Sequence, residues 1–142
     1  MASVTVYDAI KAFAQTELAP YQVIDFDQVE DALVQGSTAF IAIEEVSAQE
    51  ESICFGDPDA LGYRETSMLI IHAFVPNPEG SNAARAILDT IRDAFRLQRI
   101  SGVRVVAVTA PDFERLTPGR WVDGIISLGV TYDFNFALPD PV

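Results

Sequence analysis

The sequence predicts a single α+β domain in which helices pack on one face of a mainly antiparallel sheet. The chain has 142 residues, a length that fits one ordinary domain rather than two. Its composition is 49% hydrophobic and only 21% charged, which is typical of a globular chain and excludes intrinsic disorder. Periodic segments follow the order helix, two strands, helix, two strands, and their short connections favour antiparallel pairing. We therefore expect about four strands and two main helices within residues 1–142, with a loose tail over residues 139–142.

Two segments carry the helical pattern. The first main helix is predicted over Ser3–Leu18, where apolar residues recur at helical spacing and Pro20 ends the pattern. The clearest helix is predicted over Asn82–Arg99, which has one continuous apolar face and is followed by Gly102. Between them, the acidic segment Asp25–Gln35 is predicted to hold a short additional helix.

Four segments carry strand patterns. Thr38–Val46 and Val103–Thr109 are rich in residues that favour strands. Tyr63–Val75 is apolar on both faces over its second half, which predicts a central strand covered on both sides. Val122–Phe136 alternates apolar and polar residues, which predicts a long strand with one buried and one solvated face. A strand of that length must bend or project beyond a compact domain, and a projecting strand commonly pairs with a partner.

The net charge of −12 is unevenly distributed along the chain. Residues 1–63 contain twelve acidic residues and one basic residue, whereas residues 64–142 contain nine acidic residues and eight arginines. So acidic a chain lacks the basic surface that binds a nucleic-acid backbone or an anionic membrane. The asymmetry indicates one acidic side and one side bearing arginines. The alternative is that the acidic residues only keep a small domain soluble.

Nothing in the sequence indicates secretion or membrane insertion. The N-terminus lacks a basic region followed by an apolar stretch. The longest uncharged apolar run, Ser67–Val75, is far too short to span a bilayer. A single cysteine, Cys54, excludes an internal disulfide framework. We therefore expect a soluble intracellular domain.

No catalytic constellation is recognisable. The only histidine, His72, lies within an apolar strand pattern and is interpreted as a hydrogen-bonded core residue rather than a catalytic base. Cys54 has no activating neighbour in sequence and is interpreted as a small apolar residue. The acidic motifs Asp25–Asp27 and Asp57–Asp59 lack the spacing of a calcium loop. We therefore predict no catalytic residue, no metal ligand and no cofactor, and a protein that is not an enzyme.

Arginines along the clearest helix are the strongest candidates for an interaction surface. They share one side of the predicted helix, beside its apolar face. One interpretation is a solvated face with local ion pairs. The other is half of an electrostatic subunit interface, in which the acidic half of a neighbouring copy supplies the rest; a head-to-tail contact of this kind makes a ring when it closes. The candidate interface residues are Arg85, Arg92, Arg96 and Arg99 on the basic side and Glu44, Glu45, Glu50 and Glu51 on the acidic side.

The order of these elements resembles a known family of structural proteins. Tyr63–Thr66 leads into an apolar strand, a Pro/Gly turn precedes the helix Asn82–Phe95, and Gly119–Trp121 leads into the closing strand Ile125–Phe134. Over roughly residues 3–136 this order, together with the chain length, is similar to that of the tail terminator, or tail completion, proteins of long-tailed bacteriophages and related prophages.

This resemblance implies a structural role in a virion. Tail terminators form a ring, typically a hexamer, on the head-proximal end of the tail tube, where they stop tube growth and join the tail to the head–tail connector or neck protein. The implied partners are other copies of the chain, the tail tube protein and the connector, with assembly in the host cytoplasm. DNA would pass through the ring without specific binding, which an acidic lining favours by repelling phosphates.

Two other classes of function stay open on the sequence. One is another neck or tail component, such as a connector adaptor or a tube subunit; a tube subunit would polymerise without limit. The other is a small-ligand-binding or enzyme domain, which would need a concave pocket with convergent polar groups.

Overall fold

Sheet predominates in the computed structural model, which describes residues 4–36, 38–52, 60–76, 80–100, 102–113 and 121–137. The helices within these residues are α1 (Val4–Glu17), α2 (Val29–Gln35), which follows a 3-10 turn at Phe26–Gln28, and α3 (Gly80–Phe95). The strands are β1 (Gln22–Asp25), β2 (Phe40–Ser52), β3 (Ala60–Pro76), β4 (Arg99–Ile100), β5 (Val103–Val108), β6 (Asp112–Phe113) and β7 (Trp121–Ala137). The tail at residues 139–142, Cys54 and the motif at residues 57–59 lie outside the described residues.

The predicted architecture, about four mainly antiparallel strands with two main helices on one face, is wrong. About half of the described residues are in strands, and they form one mixed sheet that curls into a half-barrel. The strand order is β1-β2-β3-β7-β5-β4, with β6 paired to β7. β1 runs parallel to β2, whereas the other neighbouring strands are antiparallel. The extra strands were not predicted because β1 has four residues and β4 and β6 have two each, too few for alternation to be recognised.

The segments with a strong periodic pattern are confirmed as elements, with boundaries corrected. The strand predicted over Thr38–Val46 continues to Ser52 as β2. The helix predicted to reach Arg99 ends at Phe95. Leu97 has a φ of 58°, in the left-handed region that commonly ends helices. The chain then turns into β4, so Arg99 belongs to the sheet and not to α3.

Three long strands form a ribbon through the middle of the sheet. β2 has 13 residues, while β3 and β7 have 17 each. β3 and β7 pair from Ala60–Ala137 to Pro76–Trp121, along their whole length. At the usual rise per residue, 17 residues span about 57 Å. The long closing strand predicted from the alternation is confirmed.

The main hydrophobic core lies between one face of this sheet and the helices α1 and α3. Apolar residues of both helices belong to one buried cluster on this face, and Phe13 of α1 meets Phe95 of α3 edge-on with ring centroids 5.0 Å apart. Completely buried members of this core include Val6, Ile10, Leu88, Ile91, Ile71, Ile126 and Leu128.

A second, smaller core lies on the opposite face, under the 3-10 turn and α2. Phe74 stacks on Phe40 there, and Trp121 meets Phe40 edge-on, beside Val29. The indole Nε1 of Trp121 donates to the carbonyl of Leu33 at 3.1 Å, which fixes α2 on the sheet. The two main helices, α1 and α3, share one face as expected, but helices do not cover one face alone, because α2 packs on the other. The central, doubly covered position of the β3 apolar run is confirmed.

The helices cover only part of the ribbon. α1 has 14 residues and α3 has 16, so each is about 21–24 Å long, less than half the length of β3. Among the described strands, β1 pairs with β2 only from Phe40 to Ile43. The outer edge of β2 from Glu44 to Ser52 therefore has no strand partner in the part of the chain that the structure describes. This open edge, Glu44–Ser52, is called the β2 edge below.

Candidate functional site

The only histidine lies in a buried cluster with two carboxylates. His72 is 1% exposed in the middle of β3. Its Nδ1 is 3.0 Å from Oδ1 of Asp123 on β7, and its Nε2 is 3.3 Å from Oε1 of Glu44 on β2. The ring of Phe26 stacks over the imidazole at a centroid distance of 4.7 Å. The interpretation of His72 as a hydrogen-bonded core residue is confirmed.

The two carboxylates determine the charge of this histidine. Burial alone lowers the pKa of His72, but hydrogen bonds and charge interactions with Asp123 and then Glu44 outweigh it, and the pKa is raised above its ordinary value. Each ring nitrogen faces a different carboxylate, so the imidazole presents no free nitrogen to a substrate. Within the described residues, no three His, Cys, Asp or Glu side chains are arranged to hold a metal ion.

In the acidic motif Asp25–Asp27, Asp25 is hydrogen-bonded to two side chains of α1. Asp25 accepts a hydrogen bond from the hydroxyl of Tyr7 and another from Lys11 Nζ at 3.0 Å. These bonds, the one from Tyr7 first, lower the pKa of Asp25 below its ordinary value. Burial, followed by the interaction with Asp25, raises the pKa of Tyr7. Asp25 therefore links α1 to the end of β1.

Three of the four candidate arginines lie along α3 or immediately after it. Arg92 donates to Asp89 at 3.1 Å, and Arg96, just beyond the helix end, lies 3.8 Å from Asp93. Arg85 donates to a side-chain amide three residues before it. The charges of Arg92 and Arg96 are therefore partly balanced within their own segment.

The four candidate glutamates all lie on β2, but they do not form one surface. Glu44 faces His72 in the buried cluster. Glu45 is half-buried, and its Oε1 is buried without a hydrogen-bond partner among the described atoms. Glu50 and Glu51 are exposed further along the β2 edge. Of the four glutamates, only this last pair is exposed.

The register of the sheet places five charged residues in one row on the face that also holds His72. Glu51 on β2 is opposite Arg64 on β3, and Arg64 is opposite Asp133 on β7. On β5, Arg104 lies one step diagonally from Asp133, and Arg99 on β4 is opposite Arg104. We call this row, with its charges −, +, −, +, +, the charge ladder.

The central rung of the charge ladder is a bidentate ion pair. Arg64 donates from Nε to Oδ1 of Asp133 at 2.7 Å and from Nη2 to Oδ2 at 3.0 Å. The hydrogen bonds from Arg64 lower the pKa of Asp133, and the charge of Arg104 acts in the same direction. The sequence prediction missed Arg64, Asp133 and Arg104. Their polar positions in strand patterns were visible, but the register that brings them together was not.

The two ends of the charge ladder differ in sign. Glu51, on the β2 edge, is the last residue of the charge ladder on one side of the sheet. Arg104 on β5 and Arg99 on β4 are its last residues on the other side. Arg99 and Arg104 are exposed, and neither forms an ion pair within the described residues. The sheet therefore has an acidic edge and a basic edge.

A groove beside α3 has no charged residue in its described lining. It is an open groove of about 850 Å³ between α3 and the segments 20–22 and 38–39. Its described lining combines small and apolar residues such as Ala83 and Ala86 with the polar residues Tyr21, Gln22, Thr38 and Thr90, and it contains no charged side chain. The described lining therefore offers no charged group to orient a ligand.

Sequence similarity to known proteins does not identify a function for this chain. No family model matches this chain, and no curated protein matches it in sequence. Among the described helices, none is long and apolar enough to cross a membrane.

Proposed function

We propose that this protein is a tail-terminator-like structural protein, which forms a ring at the head-proximal end of a phage tail tube and is not an enzyme. The observation that carries the proposal is the ribbon of β2, β3 and β7, which extends well past the helices and leaves strand edges open on the described part of the sheet. Open strand edges are a common means of association between chains.

The charge distribution supports the same role. A net charge of −12 gives a ring whose surfaces repel DNA phosphates, so that DNA can pass through the bore without being held. The fully engaged imidazole of His72 gives little support to an enzyme, and the described lining of the groove beside α3 contains no charged side chain that would orient a small ligand. A tube subunit or a connector adaptor could associate through the same open edges. The assembly that the purified chain forms distinguishes these two classes from a terminator.

Removal of the chain from its own genome tests this function. A stop codon early in the reading frame is expected to give tail tubes of uncontrolled length that fail to join heads in electron micrographs. Supplying the chain from a plasmid is expected to restore joined tails of uniform length. Absence of all tubes would instead indicate a tube subunit, and normal tails of uniform length joined to heads would contradict any role in tail assembly.

A further inference from the structure

The basic end of the charge ladder carries a charge that the described chain leaves unbalanced. Arg99 and Arg104 are directly opposite each other on neighbouring strands, an arrangement in which like charges destabilise a sheet. The negative charge of Asp133 interacts with Arg104, but Asp133 is already bound by Arg64 through both carboxylate oxygens. An additional carboxylate at this edge would therefore relieve the repulsion between Arg99 and Arg104.

The surface around the two arginines can accept such a group. Arg99, Arg104 and Asp133 line a shallow depression of about 150 Å³ together with Gly102 and Thr131. The depression is open to solvent, and its two guanidinium groups can donate to both oxygens of one carboxylate.

The β2 edge offers the complementary group. It has no strand partner in the described part of the chain, and it carries Glu50 and Glu51 as exposed residues. Its acidic charge prevents this edge from pairing with the same edge of another copy, but it favours pairing with an edge that bears arginines. The basic edge lies at the opposite side of the same sheet, so contact between the two edges joins copies head to tail.

We propose that Arg99 and Arg104 bind the carboxylate of Glu51 on the β2 edge of a second copy, so that the charge ladder continues from one copy into the next. The proposal rests on the ring function proposed above and identifies the residues at its subunit boundary. The two unbalanced arginines at the basic end of one copy are then followed by the acidic residue that begins the ladder of the next copy.

Charge reversal at the two edges tests this pairing. One variant carries Arg99→Glu and Arg104→Glu, and the other carries Glu50→Arg and Glu51→Arg. Each alone has two edges of the same sign and is expected to associate at least about tenfold more weakly than the unmodified chain in sedimentation at low salt. An equimolar mixture of the two is expected to recover association, since every acidic edge again meets a basic edge. A thermal melt of each variant establishes that it is folded.

A matched control separates this pairing from an effect of net charge. Arg92→Glu with Arg96→Glu makes the same change in net charge on a segment whose arginines already have acidic neighbours, and it is expected to weaken association much less. Equal weakening by this control, or no recovery in the mixture, would overturn the proposed pairing. Binding of a DNA oligonucleotide by the unmodified chain, lost in Arg99→Glu with Arg104→Glu, would overturn it in favour of a phosphate site.

The outcomes also separate this proposal from the ring function. If the unmodified chain forms closed rings that persist in both edge variants, the pairing is wrong and the ring function stands. If the edge variants behave as expected but the unmodified chain forms only open chains, the pairing stands and the terminator function is wrong. If the unmodified chain does not associate at any concentration, both are wrong.

Discussion

His72 lies at a position of β3 where the alternation would otherwise place an apolar core residue. Asp123 and Glu44 contact its two ring nitrogens and stabilise the protonated form. Because the pKa of His72 is raised in the folded protein, protonation stabilises the fold. That contribution is fully present below the ordinary histidine pKa of about 6.5 and is lost as the pH rises through the raised value. The cluster therefore makes the stability of the domain depend on pH near neutrality.

Asp123→Asn tests the energy of this cluster. The variant keeps a hydrogen-bonding side chain beside His72 but removes its negative charge, so the free energy of unfolding is expected to fall by about 1–3 kcal/mol below pH 6.5. The loss is expected to shrink as the pH rises, because the imidazole becomes neutral in both proteins. Denaturant unfolding at a series of pH values measures this difference.

Asp133→Asn is a suitable control for the buried cluster. It removes a carboxylate of the same strand whose pKa is lowered, not raised. Its contribution is present above the ordinary aspartate pKa and is lost only as the pH falls through the lowered value. Between pH 6 and 9 its effect should be constant, and an equally constant effect for Asp123→Asn would contradict a charged His72.

The bond between Tyr7 and Asp25 gives a second prediction for a single residue. Tyr7→Phe removes the first cause of the lowered pKa of Asp25 and is expected to cost about 0.5–1 kcal/mol at neutral pH, given that the pair is partly exposed. The cost should be fully present above the ordinary aspartate pKa and should be lost only as the pH falls through the lowered pKa of Asp25. Tyr21→Phe, at a residue that is 37% exposed, should leave the stability unchanged, and an effect equal to that of Tyr7→Phe would contradict the assignment.

At the scale of elements, the sheet is anchored separately on its two faces. Trp121 attaches α2 to one face through its bond to Leu33, whereas Phe95 belongs to the core under α1 and α3 on the other. The sheet lies between the two hydrophobic cores. A substitution in one core is therefore expected to destabilise mainly the helices that cover that face.

Hydrogen exchange can distinguish the two faces. Trp121→Phe keeps an aromatic ring but removes the indole donor, so amides in residues 26–35 are expected to lose protection while those of α1 retain it. Phe95→Leu is the matched change on the opposite face and is expected to affect α1 and α3 but not residues 26–35. A uniform loss of protection over the whole chain in either variant would contradict separate anchoring.

The elements also indicate how far the sequence could predict this fold. Long periodic segments such as α3 and β7 were predicted because burial on one face imposes a pattern over many residues. β1 was missed because four residues cannot display such a pattern, and the end of α3 was misplaced because a left-handed Leu97 gives no signal in the sequence.

The residues of the candidate site were harder to predict from the sequence than the elements of the fold. The uneven charge of the chain indicated an interface between acidic and basic surfaces, but helical spacing assigned Arg99 to the wrong element. Arg64 and Asp133 are 69 positions apart, and only the register of β3 against β7 brings them together. Pairings between distant strands depend on the packing of the whole sheet, which no local pattern contains.

At the scale of the whole molecule, the proposed ring follows from a sheet with two unlike edges. An acidic edge and a basic edge on opposite sides of one sheet favour head-to-tail contacts, and such contacts close when the rotation between copies divides a full circle. Single pairs at a solvent-exposed boundary are weak and screened by salt, so ring formation depends on their repetition around the circle.

Native mass measurement of the purified chain, combined with negative-stain images over a series of protein concentrations at low salt, tests the ring most directly. The proposed function predicts one closed species of six copies of the 15.5 kDa chain, with a mass of about 93 kDa, that dissociates when salt is raised. Images should show rings of uniform diameter. A chain that stays monomeric at every concentration, or that grows into open-ended tubes, would contradict the account.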